Sequence, residues 1–483
     1  MQNKFRCHII RALRHRWRAK SGYREVLKLA LPLILSTSSI SLQHFIDRMF
    51  LTWYSPEAIA ASVPGGIMSY TLMCFFIGTA AYVNPFVAQY YGAKQRQQIA
   101  PVVWQGIYFS LFSSVLFLTC YPLAEPMFKI AGHSPAVTKL EIQYFQILVF
   151  GAPAVFISQA ISGFFSGRSE TWTILWVNCS ATLVNIIFDY LLIFGKFGFT
   201  NLGIKGAAIA TVMCNYAAAI LFLAILLKPK FRRQYGTWQN RHFNFSLFKR
   251  LMRFGMPNGV HFFLDLLSFT IFIMLVGRFG TIALAATNIS FNINSLAFMP
   301  MIGLGIAVEV LVGQKLGENK SKLARYGTYS ALHITFLYMG TISLTYVLFP
   351  EIYLYPFAAQ ANAQSFVVVK QMTIILLRFV AFYSVFDTMN IIFSNTLRGA
   401  GDTRFVMLAS VSLSWLIMIV PTYLGSVVYQ WGIYVTWLSL TFYIVVLSGV
   451  FLTRFLGGKW ESMRVIEEAP IVPAPNLPDN PVG

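Results

Sequence analysis

The sequence predicts an all-α integral membrane protein, with twelve transmembrane helices arranged as two parallel six-helix lobes. Three observations carry that prediction. The 483 residues are 57% hydrophobic and only 11% charged, with a mean hydropathy of +0.62, whereas soluble chains carry about 25% charged residues. Apolar runs of around 20 residues, each long enough to cross a bilayer, recur from residue 26 to residue 456. The second half of the chain also repeats landmarks of the first in the same order. Lipid offers the backbone no hydrogen-bond partners, which leaves helices as the structure for runs of this length.

Taken in order, residues 1–25 form a basic cytoplasmic arm. Residues 1–24 hold eight Lys or Arg and no acid, interleaved with Phe5, Ile9, Ile10, Leu13 and Trp17. That pattern predicts an interfacial amphipathic helix; a signal peptide would need a longer apolar stretch before a cleavage site. The N-terminal lobe, 26–228, holds spans at 26–52, 61–90, 99–122, 138–163, 172–195 and 205–228. A basic interlobe loop, 229–250, follows. The C-terminal lobe, 251–456, holds spans at 251–277, 281–311, 326–349, 370–396, 404–428 and 432–456. The tail, 457–483, is Pro-rich, and from Glu467 it predicts disorder.

The net charge of +20 is placed as a topology signal. With both termini in the cytoplasm, 29 of the 37 Lys and Arg fall in cytoplasmic segments, six in outer loops and two (Arg48, Arg378) within spans. The positive-inside rule then fixes a multi-pass orientation in the cell inner (plasma) membrane. The charge points to contact with anionic lipid and not to nucleic acid. Cys7, Cys74, Cys120, Cys179 and Cys214 show no paired metal spacing, and the last four fall in apolar segments, where they read as free thiols.

The repeat runs at offsets of 225 and 232 residues. At the first, Lys28 meets Arg253, Pro32 meets Pro257, and V-A-Q-Y-Y-G (87–92) meets V-G-Q-K-L-G (312–317). At the second, Gly167-x-x-Glu170-Thr171 meets Gly399-x-x-Asp402-Thr403, and Gln146 meets Arg378. Six helices per half return the chain to the same side, so the repeats are parallel. Such architectures place substrate sites near the bilayer midplane and rock one half against the other.

These are also residues at which the chain resembles the multidrug and toxic compound extrusion (MATE) family, in its NorM-like branch. The resemblance rests on P-L-I-L-S in the first span, V-A-Q-Y-Y-G-A after the second and V-N-I-I-F-D in the fifth. It continues in A-T-N-I-S-F-N-I-N-S-L and V-G-Q-K-L-G-E of the eighth, and L-R-G-A-G-D-T after the tenth. It spans roughly residues 25–456. It implies a two-lobed exporter that couples organic-cation efflux to proton or sodium entry.

Of the acids within the span bounds, five, Asp47, Asp189, Asp265, Glu309 and Asp387, are the candidates. A carboxylate at the centre of a transmembrane helix costs on the order of 3 kcal/mol even on lenient scales, so such groups face polar cavities or ion paths. Asp265 lies twelve residues beyond Arg253 and Asp387 eleven before Arg398. At 1.5 Å per residue both stand ~16–18 Å from the inner face. With the Tyr383 hydroxyl one turn away, they make a candidate cation or proton site in the C-terminal lobe, sodium included, against a structural pairing of the same groups. The resemblance carries cation binding onto the same three residues. It departs only in having Asp265 where the branch usually has Glu.

Asp47 and Asp189 stand ~28–32 Å up by the same ruler, and Asn185 shares a helix face with Asp189. The resemblance assigns Asp47, Asn185 and Asp189 to proton coupling or sodium binding. Arg48 is the departure, and it either points away or neutralises Asp189 and makes the cluster structural. Glu309, ~9 Å from the inner surface, reads as an interface carboxylate near Lys315 or Lys322. Asn288 and Asn292 are candidate cavity-lining residues, with hydrogen bonding between helices as the alternative. His44 and His261 read as packed histidines.

The reading is a secondary active multidrug exporter, not an enzyme, without cofactor, structural metal or nucleic-acid partner, moving small cationic or neutral lipophilic substrates as a monomer among membrane lipids. No phosphate-binding GxxxxGK[ST] loop is present, which leaves H+ or Na+ as the coupling ion. The alternative is a flippase for a lipid-linked saccharide, which would need a cavity lined with Arg and Lys.

Overall fold

The structure, a computed structural model, describes residues 14–130, 133–358 and 363–467. The described residues contain no β-strand. Eleven helices are long and apolar enough to cross a membrane, and a bent pair completes twelve. They are α1 (Tyr23–Tyr54), α2 (Pro56–Gly92), α3 (Arg96–Leu118), α4 (Pro135–Val149 with Ala152–Ser166), α5 (Thr171–Phe194) and α6 (Ile204–Leu226). The second six are α7 (Phe245–Phe279), α8 (Thr281–Gly317), α9 (Ser321–Leu348), α10 (Phe366–Ala400), α11 (Thr403–Val428) and α12 (Ile433–Leu456). The twelve predicted spans correspond to these one for one.

Local sequence explains where the helices start and deform. The Ser55 hydroxyl caps α2 by accepting from the Ala58 amide at 3.0 Å, with Pro56 at the first helical position. Asn244 caps α7 in the same way. The predicted fourth span is not straight. It bends by 44° at Phe150–Gly151, where Pro153 cannot donate back into the preceding turn. Pro421 has the same effect in α11, which runs as π-helix over Ser414–Ile419 and Leu424–Val428 on either side of it.

The halves pack together along α1–α8 and α2–α7. Close approach needs glycine: a Cβ on Gly259 of α7 would lie 2.2 Å from Thr79 Oγ1 of α2. Across the seam Asn258 donates to the Gly78 carbonyl at 2.7 Å, and Thr37 donates to the Met299 carbonyl at 3.3 Å. The interlobe loop and the described parts of both terminal segments gather on one face of the bundle, called here the linker face. Among the described residues, hydrogen bonds between the lobes lie from the middle of the spans to that face. The cleft between the lobes is therefore closed at the linker face.

The terminal segments strap this closure. Arg16 donates to Ser330 of α9 at 3.1 Å and lies over the Tyr326 ring at 4.4 Å. The start of the tail is packed: Trp460 and Val465 are buried, and the Val465 amide donates to Gln89 Oε1 at 2.9 Å. Residues 1–13 of the predicted amphipathic arm, Cys7 among them, and the tail from residue 468 lie outside the described residues. Cys74 and Cys214 are buried free thiols, and Cys120 and Cys179 are half-buried.

Candidate functional site

Two helices of the N-terminal lobe carry polar side chains at helical spacing. On α5, Asn178, Thr182, Asn185 and Asp189 fall on one face, and on α1, Ser36, Gln43 and Asp47 do the same. The two stripes face each other. At one end Asn178 Nδ2 donates to Ser36 Oγ at 2.7 Å. At the other the carboxyl groups of Asp47 and Asp189 meet within hydrogen-bonding reach. Asn185 and Asp189 are fully buried and Asp47 nearly so.

Among the described residues, six polar atoms here have no donor or acceptor partner: Asp47 Oδ1, Thr182 Oγ1, both amide atoms of Asn185 and both carboxylate oxygens of Asp189. Ionised carboxylates only accept, so the contact between the two acids becomes bonding only when a proton or a cation lies between them. Tyr144 of α4 lies within electrostatic range of both acids. Gln43 accepts from the Cys214 thiol at 3.7 Å. Arg48 is exposed and makes no ion pair with Asp47 or Asp189 among the described residues. The sequence reading named Asp47, Asn185 and Asp189; Gln43, Thr182 and Tyr144 are neighbours that it did not name. The polar spacing on α1 and α5 was the readable signal for the first two. Tyr144 reaches the pair from a third helix, and no local pattern marks it.

In the C-terminal lobe Asp265 of α7 and Asp387 of α10 interact electrostatically without forming a direct contact among the described residues. Asp387 Oδ1 accepts from Asn390 at 3.1 Å. The buried Tyr383 hydroxyl accepts from Asn294 at 3.4 Å, so Tyr383 is oriented by α8. Tyr443 of α12 neighbours both acids; its own helix carries no acid to flag it. Asp265 is exposed, and Cys74 of α2, in the other lobe, lies within its electrostatic range. Asn288 and Asn292 are exposed, and Asn292 donates back to the Asn288 carbonyl at 2.9 Å. Asn294, two positions on, makes the interhelical contact instead.

The fifth acid is placed differently from the expectation. Lys315 pairs with Glu25 at 3.4 Å and Glu318 at 3.3 Å, whereas the cation that acts on Glu309 is Arg398. Counted in the sequence as a loop residue, Arg398 belongs to the last turn of α10 and is half-buried. The helix runs on to Ala400 because its end is packed inside the bundle against α2 and α8. The depth of Asp387 counted from Arg398 is therefore measured from inside the protein and not from its surface. A further acid, Glu141 of α4, is fully buried and meets His133 Nδ1 at 2.7 Å. His133 belongs to the rim of a depression of about 560 Å³ that touches none of the five acids above.

A family model, MatE, matches residues 32–191 and again 257–424, one match in each lobe. The chain belongs to the MatE family. Members of the family are membrane transporters, not enzymes. This MatE chain is 25% identical over 445 residues to the probable multidrug resistance protein NorM of Thermotoga maritima, covering 92% of the chain and 94% of that relative. It is 26% identical over 405 residues to the multidrug resistance protein MdtK of Yersinia pseudotuberculosis, covering 83% and 87%. An outward-facing multidrug resistance MATE transporter of the MOP superfamily superposes with a TM-score of 0.83 at 18% identity, covering 93% of this chain and 98% of that one. A eukaryotic MATE transporter superposes at 0.81 with 17% identity, covering 91% and 96%. The likeness establishes the two-lobed fold.

Proposed function

We propose that this MatE chain is a secondary active multidrug exporter of the cell inner membrane, releasing lipophilic cationic or neutral compounds outward as protons or sodium ions enter. The linker face is the cytoplasmic face in this reading, because it gathers most of the Lys and Arg. The structure then stands closed inward. The observation that carries the proposal is the contact of Asp47 with Asp189, enclosed among polar atoms that lack partners. Oxygens of Asp47, Asp189, Asn185 and Thr182 suit a hard cation, and the carboxyl pair equally suits a proton. Binding an ion there in one state of the lobes and not in the other would draw the gradient into the transport cycle.

The relatives' names, NorM and MdtK multidrug resistance proteins, support export of drugs by this chain. The exposed carboxylate of Asp265 supports a preference for positive charge. A flippase cavity would present many free Arg and Lys, but the spans were expected to hold only Arg48 and Arg378, and Arg398 is engaged with His261. The test is ethidium transport in everted vesicles with the proton gradient collapsed, sodium present or absent. Transport that persists with neither gradient would refute ion coupling. Protection of cells against anionic lipids alone would refute the substrate class.

A further inference from the structure

We propose that Arg398 is the positioning residue that couples the acids of the C-terminal lobe to closure of the linker face. The inference rests on the transport reading above and adds the part that senses the ion.

Arg398 occupies the last turn of α10, where helix carbonyls lack partners within their own helix. Two of them are taken by α2 of the other lobe. The Tyr82 hydroxyl donates to the Arg398 carbonyl at 2.8 Å, and Gln89 Nε2 donates to the Gly399 carbonyl at 2.9 Å. The closed face is thus tied to the backbone of these two residues. Their position is also tied to α8, since a Cβ on Gly399 would lie 2.6 Å from the Glu309 carbonyl oxygen.

The side chain of Arg398 has two possible sets of partners. Its Nη2 lies 3.2 Å from Nδ1 of His261, whose Nε2 lies 3.0 Å from Ser410 Oγ. Nη2 also lies 3.5 Å from Nε2; Arg only donates, so a ring nitrogen accepts from it and the imidazole there is neutral. Arg398 Nε is enclosed and has no partner among the described residues. Glu309 and Asp265 lie in electrostatic range of Arg398 and make no ion pair with it among the described residues. A charged donor that is incompletely satisfied on a neutral ring, with two carboxylates nearby, has an alternative arrangement within reach.

An incoming cation or proton and the Arg398 guanidinium therefore compete for the same carboxylates. With the acids ionised, the guanidinium is drawn toward them. With one of them neutralised, it rests on His261, as here. The move pulls on the turn that carries the two carbonyls held by α2. The ionisable groups facing Arg398 are Tyr82 on α2, His261 and Asp265 on α7, and Glu309 on α8. Asp402, beside it, is taken up by Arg454 at 2.7 Å. Around Asp265 stand Asp387, Cys74 and Tyr443.

The full chain in proteoliposomes tests this with two readouts across a pH series. One is ethidium transport driven by an imposed proton gradient. The other is the distance between spin labels at Lys94→Cys and Lys320→Cys, in a background without the native cysteines. Removing the competing cation in Arg398→Gln should move the half-maximal pH of transport upward by about half a unit or more, and should make the label distance insensitive to pH. Glu309→Gln, which removes a carboxylate, should move the midpoint the other way. Arg398→Lys, which keeps the charge, should restore the wild-type midpoint at whatever rate it transports. Unchanged midpoints and a wild-type distance response in both charge-removing variants would overturn the proposal. So would shifts of the same sign in both. If the wild type carries no ethidium, the transport reading fails, and the label distances in the same vesicles still decide the role of Arg398.

Discussion

Gln314 of α8 donates to the carbonyl of Gly167 at 2.7 Å, and the same bond recurs, lobes exchanged, from Gln89 of α2 to Gly399 at 2.9 Å. The glutamines are 225 residues apart and the glycines 232, the two offsets of the internal repeat. Each carbonyl is left over where α4 or α10 ends, and each is paired by the opposite lobe. The linker face is thus held shut by two copies of one interaction, related by the axis that relates the lobes.

Replacing either glutamine should therefore open that face. Gln314→Leu leaves an enclosed carbonyl unpaired, at a cost of about 1–3 kcal/mol to the closed state. A thiol placed at the buried Ala88 of the seam should be alkylated several-fold faster in Gln314→Leu than in the parent. Equal labelling rates would show that the bond does not contribute to closure.

Gly92 and Gly317 allow the same seam to close. A Cβ on Gly92 would lie 2.0 Å from the Gln314 carbonyl oxygen, and one on Gly317 would lie 2.1 Å from that of Gln89. Gly92→Ala should yield a folded protein that cannot reach the closed arrangement. Spin labels at Lys94→Cys and Lys320→Cys should report a longer distance, and ethidium efflux should fall to background. Normal efflux would mean that the helices separate without loss of function.

Asp189→Asn tests the enclosed acid pair. The amide supplies a donor to Asp47, so folding should be preserved or improved while ion coupling is lost. Gradient-driven efflux should drop about tenfold or more, which corresponds to about 1.4 kcal/mol or more of lost coupling, with a melting temperature unchanged or raised. A badly destabilised variant with normal efflux would instead make the pair structural.

Arg168 shows a cation used for packing. Its guanidinium lies 3.7 Å from the Phe164 ring centre and under 5 Å from those of Phe231 and Tyr235, and it makes two bonds to Glu170. Phe231 and Tyr235 belong to the short helix Pro229–Tyr235 in the interlobe segment, so Arg168 pins that segment to the N-terminal lobe. Lysine cannot reproduce a planar, two-pronged and stacked contact. Arg168→Lys should lower stability by about 2 kcal/mol, read as a lower melting temperature in detergent. No change in melting would remove the aromatic cage from the account.

The spans and the repeat were legible in the sequence because each is a local property. Twenty apolar residues must become a helix in lipid whatever surrounds them, and V-A-Q-Y-Y-G and V-G-Q-K-L-G announce their equivalence by themselves. Asp47, Asn185 and Asp189 were legible because an acid in an apolar run is conspicuous. Tertiary structure alone decided which of these groups meet. It brought Asp47 to Asp189, set Asp265 and Asp387 within electrostatic range of each other, and held Tyr383 through Asn294. It also turned Arg398 from a loop cation into a neighbour of His261, Asp265 and Glu309. Depth counted along a helix fixes height in the membrane and leaves open which face a side chain presents and which helix lies opposite. Those are set by helix packing between segments hundreds of residues apart, through close approaches such as Gly259 against Thr79.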